Sequence, residues 1–582
     1  MSTVSDPGAE TVHAPLPRLR RLLHYARPDQ LFFVLAIIIG VVTGLAVVAF
    51  RLTIDALTAH LLGPEFHRAP WRLLVAPAAA GLLIATLVMR WFPGARGSGI
   101  NQTKSALYIY DGYISFRTVV GKFLTAALAI GSGQSLGPED PSLQVGAGLA
   151  SLLGRKLKLS RARQRLLAPM GAAAGLAAAF NAPIAAVLFV IEEVVGRWSS
   201  GVIGAVVLAA VSSAVVARAF FGDHPLFTAP PFELHNGFEL LFYAVLGVVG
   251  GFGSVLFVKV VMALRTVSRA LPRWTQYFQP AAAGLVIGIV GIWFPQIMGA
   301  GYADINQAMG GAYLWPTLFA LSLLKLGATA LSFSSGTPGG MFAPTLFIGA
   351  MMGGAVGGLE HLVIPNLSAP IGVYALVGMG TAFAGILRAP MTSVFMVVEV
   401  SGSYDIVLPL IISNGIAYFI SRRWQPTPLF EALTEQDGLK LPSMEERREE
   451  QVLHVEDAMR PNRGARAIPV ISADRPVREA WMAAQTAART FVLIHGEAAE
   501  WYGVTLDLLA PLVVRAQEER PLRAVLQPEW RVPVLYPDQP LETFLREAGD
   551  EPLLPVIHRA HGVLLGVLTL TDALAAYHAH PE

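Results

Sequence analysis

Shifting the chain onto itself by roughly 200 residues brings two glycine- and proline-rich segments into register, which is the mark of a duplicated architecture. Gly131–Ala147 (GSGQSLGPEDPSLQVGA) lies over Ser334–Ala350 (SSGTPGGMFAPTLFIGA), matching Gly133 to Gly336, Gly137 to Gly340, Pro141 to Pro344 and Gly146 to Gly349. At the same offset Lys122 lies over Lys325, and at a slightly larger one Phe180–Glu193 lies over Leu387–Val400. Glycine and proline alone produce short accidental matches, but matched lysines inside apolar segments do not arise that way. The chain must fold as two related halves.

Both halves are built for a bilayer. Leu31–Phe50 carries no charge, and about 20 apolar residues suffice to span the hydrocarbon. Only 14% of the chain is charged, against roughly 25% in soluble domains. Apolar segments continue to about Trp424, yet many are interrupted by Gly and Pro before they could cross. Irregular backbone at membrane depth is tolerated only where protein or water satisfies it, so the interruptions point to a buried transport pathway. The basic stretch RLRRLLHYARPD before the first span, and Arg422 and Arg423 after the last, place both termini in the cytoplasm of a multi-pass cell-membrane protein, by this reading a prokaryotic inner-membrane one. With no cysteine, disulfides and thiolate metal sites are excluded, and no metal is expected. The divisions are a cytoplasmic segment at 1–30, a membrane domain at 31–432, a charged linker at 433–451 and a soluble domain at 452–582.

Three glycine-rich breaks precede apolar helices: Gly97-Ser98-Gly99-Ile100, Gly137-Pro138-Glu139-Asp140-Pro141, and Gly336 through Pro344. Helix N-termini offer free amides and about half a positive charge each, which holds an anion without the deep trap of a contacting cation. A carboxylate in such a break, Glu139, occupies the anion's place when ionised and vacates it when protonated. It reads as a gate; its alternative is an acid in a helix's first turn, favoured by the macrodipole.

These motifs resemble those of the CLC family of chloride channels and chloride/proton antiporters, over nearly the whole length. GTPGGMFAP is close to the family's GSxPGGxFxP, GSGI to the start of its GSGIP, and LGPEDPSLQVG to its GREGP motif, with Pro138 where Arg or Lys is usual and Asp140 where Gly is usual. The resemblance implies an all-α polytopic CLC fold with an inverted repeat and broken helices, working as a homodimer in lipid. It implies that Ser98 and the backbone at Gly340, Met341 and Phe342 bind chloride, that Glu139 gates, and that Glu193 transfers protons on the inner side. Lys122 and Lys325 match buried basic positions that raise the anion potential; snorkelling to the interface is their alternative. Phe430 stands where the family has an anion-binding tyrosine, so that donor is lost, and Asn101 replaces a proline.

The soluble tail repeats too. Ile468–Ala480 lies over Val532–Phe544, with Pro469 on Pro533 and Asp474 on Asp538. This resembles a C-terminal α/β pair of CBS modules, in which Thr569 and Asp572 would contact an adenine nucleotide (ATP, ADP or AMP); a ligand-free dimerisation module is the alternative. No cofactor is required. The resemblance implies chloride/proton antiport modulated by the tail, with a passive voltage- or pH-gated chloride channel as the alternative reading. An intramembrane enzyme is disfavoured because no HExxH occurs and the histidines lie outside the motifs. The glycine breaks present donors rather than the acidic ligands a cation wants, and no nucleic-acid partner is expected.

Overall fold

The computed structural model describes residues 28–579 apart from 64–69, 197–199, 229, 231–236, 366–368, 440, 442–452, 463–466, 488–489, 497–499, 515–517 and 550. Most of the N-terminal segment, most of the linker and the first residue assigned to the tail therefore lie outside the described residues. The chain divides into two compact units, Met1–Leu433 and Thr434–Glu582.

In the first unit the sequence repeat becomes a repeat of helices. α1 (Pro28–Leu61), α2 (Pro70–Arg90), α3 (Gly99–Ile109), α4 (Phe116–Gly131), α5 (Glu139–Lys156), α6 (Arg161–Phe180), α7 (Pro183–Phe189) and α8 (Ser200–Phe221) form the first half. α9 (Glu239–Ala270), α10 (Gln279–Gly291), α11 (Tyr302–Met309), α12 (Trp315–Ser334), α13 (Phe342–Val363), α14 (Ile371–Leu387), α15 (Pro390–Ser401) and α16 (Val407–Trp424) repeat the order, and α17 (Leu429–Gln436) follows. Six of the described helices are long and apolar enough to cross a membrane. Their surroundings differ: the apolar stretch of α13 is 89% buried within the protein and that of α2 only 39%. The helix that opens with the third glycine break is thus enclosed by others, and the outer helices turn leucines and valines such as Val75, Leu82 and Leu83 outward.

Local chemistry explains the repeat. The breaks ahead of α5 and α13 need a left-handed residue, supplied by Gly133 (φ 99°) and Gly336 (φ 86°), a conformation glycine adopts without steric cost. α6 and α14 both end on a left-handed residue, Asn181 (φ 57°) and Arg388 (φ 62°). α5 lies against α6, and α13 against α14, at backbone contact: a Cβ on Gly146 would sit 2.1 Å from the Gly171 carbonyl oxygen, and one on Gly349 2.3 Å from that of Gly378. Small residues at such contacts let membrane helices pack closely where no hydrophobic drive exists.

The halves also cap each other. Glu192 accepts hydrogen bonds from the Thr392 amide (3.0 Å) and hydroxyl (2.7 Å) at the start of α15. Its repeat counterpart Glu399 accepts from the Ile184 (3.0 Å) and Ala185 (2.8 Å) amides at the start of α7. Each carboxylate satisfies orphan amides and meets the positive end of the other half's helix. One departure stands out: α7 runs on into a π-helical turn, Val190–Val195, whereas α15 is α-helical throughout.

The second unit begins its regular structure with α18 (Val455–Ala458) and holds two three-stranded sheets. In one, β2 (Val470–Ser472) pairs parallel with β3 (Phe491–His495), and β3 antiparallel with β4 (Trp501–Thr505). α19 (Val477–Thr486) links β2 to β3 and α20 (Leu506–Val514) follows β4. The other reuses the plan: Leu535 bridges parallel to Val556, α21 (Leu541–Glu547) follows, β5 (Leu554–Ile557) pairs antiparallel with β6 (Leu564–Leu568), and α22 (Leu570–Ala579) ends it. β1 (Arg460–Pro461) adds to the free edge of β6.

Candidate functional site

The three glycine breaks converge. Gly137 and Gly340, equivalent in the repeat, exchange two backbone hydrogen bonds, each 2.8 Å, as a local two-fold between the halves requires. This joins the N-termini of α5 and α13. A Cβ on Gly340 would lie 2.7 Å from Asp140 Cβ, and one on Gly99 2.2 Å from the Asp140 carbonyl oxygen, so α3 begins at the same place. α17 is tied in by the Asn101 side-chain amide, which donates to the Phe430 carbonyl oxygen at 3.0 Å. The sequence offered no account of Asn101; here a proline would lose that link.

Ser98 is the N-cap of α3, its hydroxyl oxygen accepting from the Ile100 amide at 3.2 Å. The hydroxyl proton is given to Asp140 Oδ2, 3.0 Å away. Glu139, fully buried, turns Oε2 toward the amide of Ala343 at 3.4 Å, in the first turn of α13. Its Oε1 and Asp140 Oδ1 are buried with no hydrogen-bond partner among the described residues. Two carboxylates thus lie where three helix N-termini present their amides, one toward the α13 side and one toward Ser98. Met341 caps α13 and Phe342 opens it, both fully buried. The Phe342 ring meets those of Phe180, Phe189, Phe383 and Phe430 at centroid distances from 4.8 to 6.4 Å. Phe430 therefore contributes an apolar wall.

Lys122 and Lys325 are both fully buried, so the snorkelling alternative is set aside. Lys122 donates to the Ala95 (3.0 Å) and Gly97 (2.5 Å) carbonyls. Lys325 donates to those of Ile297 (3.0 Å) and Gly299 (2.7 Å). These contacts reveal a further repeat pair that drifted too far to be read in the sequence: Gly97-Ser98-Gly99-Ile100 matches Gly299-Ala300-Gly301-Tyr302. Each ammonium clamps the turn ahead of a short helix, and its charge faces a carboxylate, Asp140 for Lys122 and Asp304 for Lys325.

Glu193 lies in the π-helical turn and is almost fully buried in an ion pair with Lys104 of α3. Lys104 went unremarked in the sequence; its only signal was a cation six positions past Ser98 on a helix later found to be buried. Glu192, one residue earlier, is taken up by capping α15. A cavity of about 200 Å³ beside Phe180 is lined by Arg51, Asn181, Phe221 and His224 among others, and the Arg51 charge acts on Glu139.

In the second unit Thr569 and Asp572 form the N-cap of α22. The Thr569 hydroxyl donates to Asp572 Oδ2 at 2.7 Å, and the Thr569 amide does so at 3.2 Å. Asp572 also pairs with Arg460, and Arg559 holds Asp538 through two hydrogen bonds of 2.8 and 3.1 Å.

Residues 80–422 match a family model described as voltage gated chloride channel. The chain is 34% identical to a "ClcB-like" chloride channel protein of Ralstonia nicotianae, over 70% of this chain and 97% of that one. It is 32% identical to an H(+)/Cl(-) exchange transporter ClcA of Vibrio vulnificus, over 71% and 91%. Among solved structures, a slow cyanobacterial Cl-/H+ antiporter superposes with a TM-score of 0.65 at 25% identity, covering 71% of this chain and 98% of that one. A eukaryotic CLC transporter superposes at 0.62 with 22% identity, covering 95% of this chain and 98% of that one, a likeness of fold.

Proposed function

Since the chain belongs to the voltage-gated chloride channel (CLC) family, we propose that it exchanges chloride for protons across the membrane. The observation that carries this reading is the placement of Glu139, whose carboxylate sits against the amide of Ala343 where a dehydrated anion would be held by helix dipoles. Ionised, it fills the anion's seat; protonated, it gives the seat up, so anion passage and proton uptake share one group. Met341, Phe342 and Gly340 supply main chain to the site, and Ser98 supplies a hydroxyl. Lys122 and Lys325 hold the turns that aim α3 and α11 while adding positive potential. Anions reach Glu139 past Arg51 and His224.

Glu193 is the inner proton station. Its pairing with Lys104 supports this, because a buried carboxylate beside a cation is costly and is kept where ions or protons move. Glu139 and Glu193 in one pathway are the reason to prefer exchange to a passive channel. One observation favours the second reading: the Phe430 ring offers no hydroxyl toward the site, which weakens the inner barrier to anion escape.

The membrane unit works as a homodimer, one pathway per subunit, with both termini in the cytoplasm. Exposed apolar side chains on α8 and α16, among them Val211, Val215, Ile411 and Phe419, support burial against lipid or a second copy. The second unit is a regulatory CBS pair, its repeated βαββα plan being the support. An adenine nucleotide at Thr569 and Asp572 would have to displace Arg460, so Arg460→Ala should tighten nucleotide binding to the full chain in a calorimetric titration.

The test of exchange is reconstitution into liposomes with an outward chloride gradient and no pH difference. Protons driven uphill establish coupling. Chloride efflux without proton movement would return the channel reading, and no efflux at all would end both.

A further inference from the structure

We propose that Asp140 is a second acidic competitor for the anion, holding the Ser98 hydroxyl in the resting state and releasing it only on taking up a proton. The inference rests on the anion-transport reading above and deepens it.

Ser98 has one hydroxyl proton to give, and that proton goes to Asp140 Oδ2 at 3.0 Å. An anion at Ser98 must take this hydrogen bond from a carboxylate that cannot retreat to water, since Asp140 is fully buried. The Ile100 amide, which donates to the Ser98 hydroxyl oxygen, also acts on this carboxylate, yet its other oxygen, Oδ1, has no hydrogen bond of good geometry among the described residues, although charge-bearing oxygens in such surroundings ordinarily collect donors. The unpartnered atom is what a group waiting for a proton, or sharing a site with a ligand, would show. The anion and an ionised Asp140 would stand within a few ångströms of each other inside a low-dielectric protein, where like charges repel strongly.

Protonation resolves both difficulties. The neutral acid no longer repels the anion, frees the Ser98 hydroxyl, and gains an O–H donor of its own. The step balances as one proton taken from solution onto Asp140 for each anion seated at Ser98, with no covalent bond to the anion.

The charged groups around Asp140 fit this role. Lys122 of α4 faces it and Glu139 adjoins it, with Arg51 of α1 acting on Glu139. Lys104 of α3 is engaged with Glu193. α13 meets this part of α5 through Gly340 and the Ala343 amide, and α6 meets it through Gly175 against Ser142. Lys122 gives both of its named hydrogen bonds to carbonyls, so it offsets Asp140's charge without supplying the donor that Oδ1 lacks.

The experiment is calorimetric titration of chloride into the purified full-length protein in detergent across a pH series, using Glu139→Gln to remove the first competitor. If one further proton accompanies the anion, the apparent Kd of Glu139→Gln rises by up to about tenfold per pH unit as the solution becomes more alkaline. The double variant Glu139→Gln/Asp140→Asn, which cannot ionise there, should bind with a flat pH profile. Asp140→Gly in the same background gives the same readout should the asparagine misfold, and thermal unfolding of each variant identifies folded material. A pH-independent Kd in Glu139→Gln, or an undiminished slope in the folded double variants, would overturn the role of Asp140 and leave anion transport standing. Chloride binding to none of the folded proteins at any pH would instead remove the reading on which it depends.

Discussion

At Lys122 and Lys325 the two halves of the membrane unit do the same thing: each ammonium grips the same two carbonyls of the same turn. At Ser98 and Ala300 they do not, although the two residues occupy the same place in that turn. The comparison extends along the chain. Glu192 and Glu399 cap each other's half, and Gly137 and Gly340 pair across the two-fold. Glu139 faces Phe342 in the repeat, Asp140 faces Ala343, and Glu193 faces Val400. What builds the scaffold is duplicated, whereas the polar side chains proposed to meet the anion or carry the proton directly, Ser98, Glu139, Asp140 and Glu193, are present in the first half only. The second half supplies main chain, at Gly340 and the Ala343 amide, and apolar walls. Duplication provides opposed helix N-termini; the chemistry arises where one copy has departed from the other.

Substitutions at repeat-equivalent positions can break or sharpen this comparison. The largest effect is expected at Lys104, for which the second half has no cation in the matching turn. Lys104→Met removes the ammonium paired with buried Glu193 and should cost about 3–5 kcal/mol, read as thermal unfolding in detergent, with much of the loss recovered in Lys104→Met/Glu193→Gln. An unchanged melting temperature would show the pair to be energetically idle. Next comes Ser98→Ala, which makes the first half resemble the second. It should weaken chloride binding by about 1.5–3 kcal/mol, the range for a hydrogen bond to a charged partner, while Ala300→Ser leaves binding as it was. Equal responses at the two positions would dissolve the asymmetry.

Glu192→Gln and Glu399→Gln probe the symmetric part. Each keeps the shape and loses the charge from a helix cap, at about 1 kcal/mol apiece, so the two should lower stability alike and leave the proton-to-chloride ratio untouched. The smallest effect belongs to Phe430→Tyr. A hydroxyl returned to the aromatic wall should tighten chloride by about 0.5–1.5 kcal/mol, seen as a severalfold lower Kd; a Kd that does not fall would place that ring away from the anion.

Much of this was legible beforehand, and the reason is physical. Glycine and proline leave little latitude at backbone approaches and breaks, so Gly137 and Gly340 could be matched in sequence and then found in contact. Ser98 and Glu139 could be singled out because they sit in those breaks. Long-range side-chain pairings carry no such signature. Lys104 and Glu193 lie far apart in the chain and meet only once α3 and the π-helical turn are placed. Asp140 reads in the sequence only as a departure from a usual glycine, because its bond to Ser98 depends on how closely α3 approaches α5 over Gly99. The turn at Gly299–Tyr302 had kept its backbone and lost its residues, so its kinship with Gly97–Ile100 emerged only from the two lysines.

The most direct test of a chemistry confined to one half is the proton and chloride flux of Glu139→Gln in liposomes, beside the unaltered protein. Chloride should continue to cross while coupled proton movement vanishes. Uphill proton transport at the unaltered ratio would contradict the account, because the proton would then be travelling by a route that does not include the carboxylate proposed to fill the anion's seat beside the Ala343 amide.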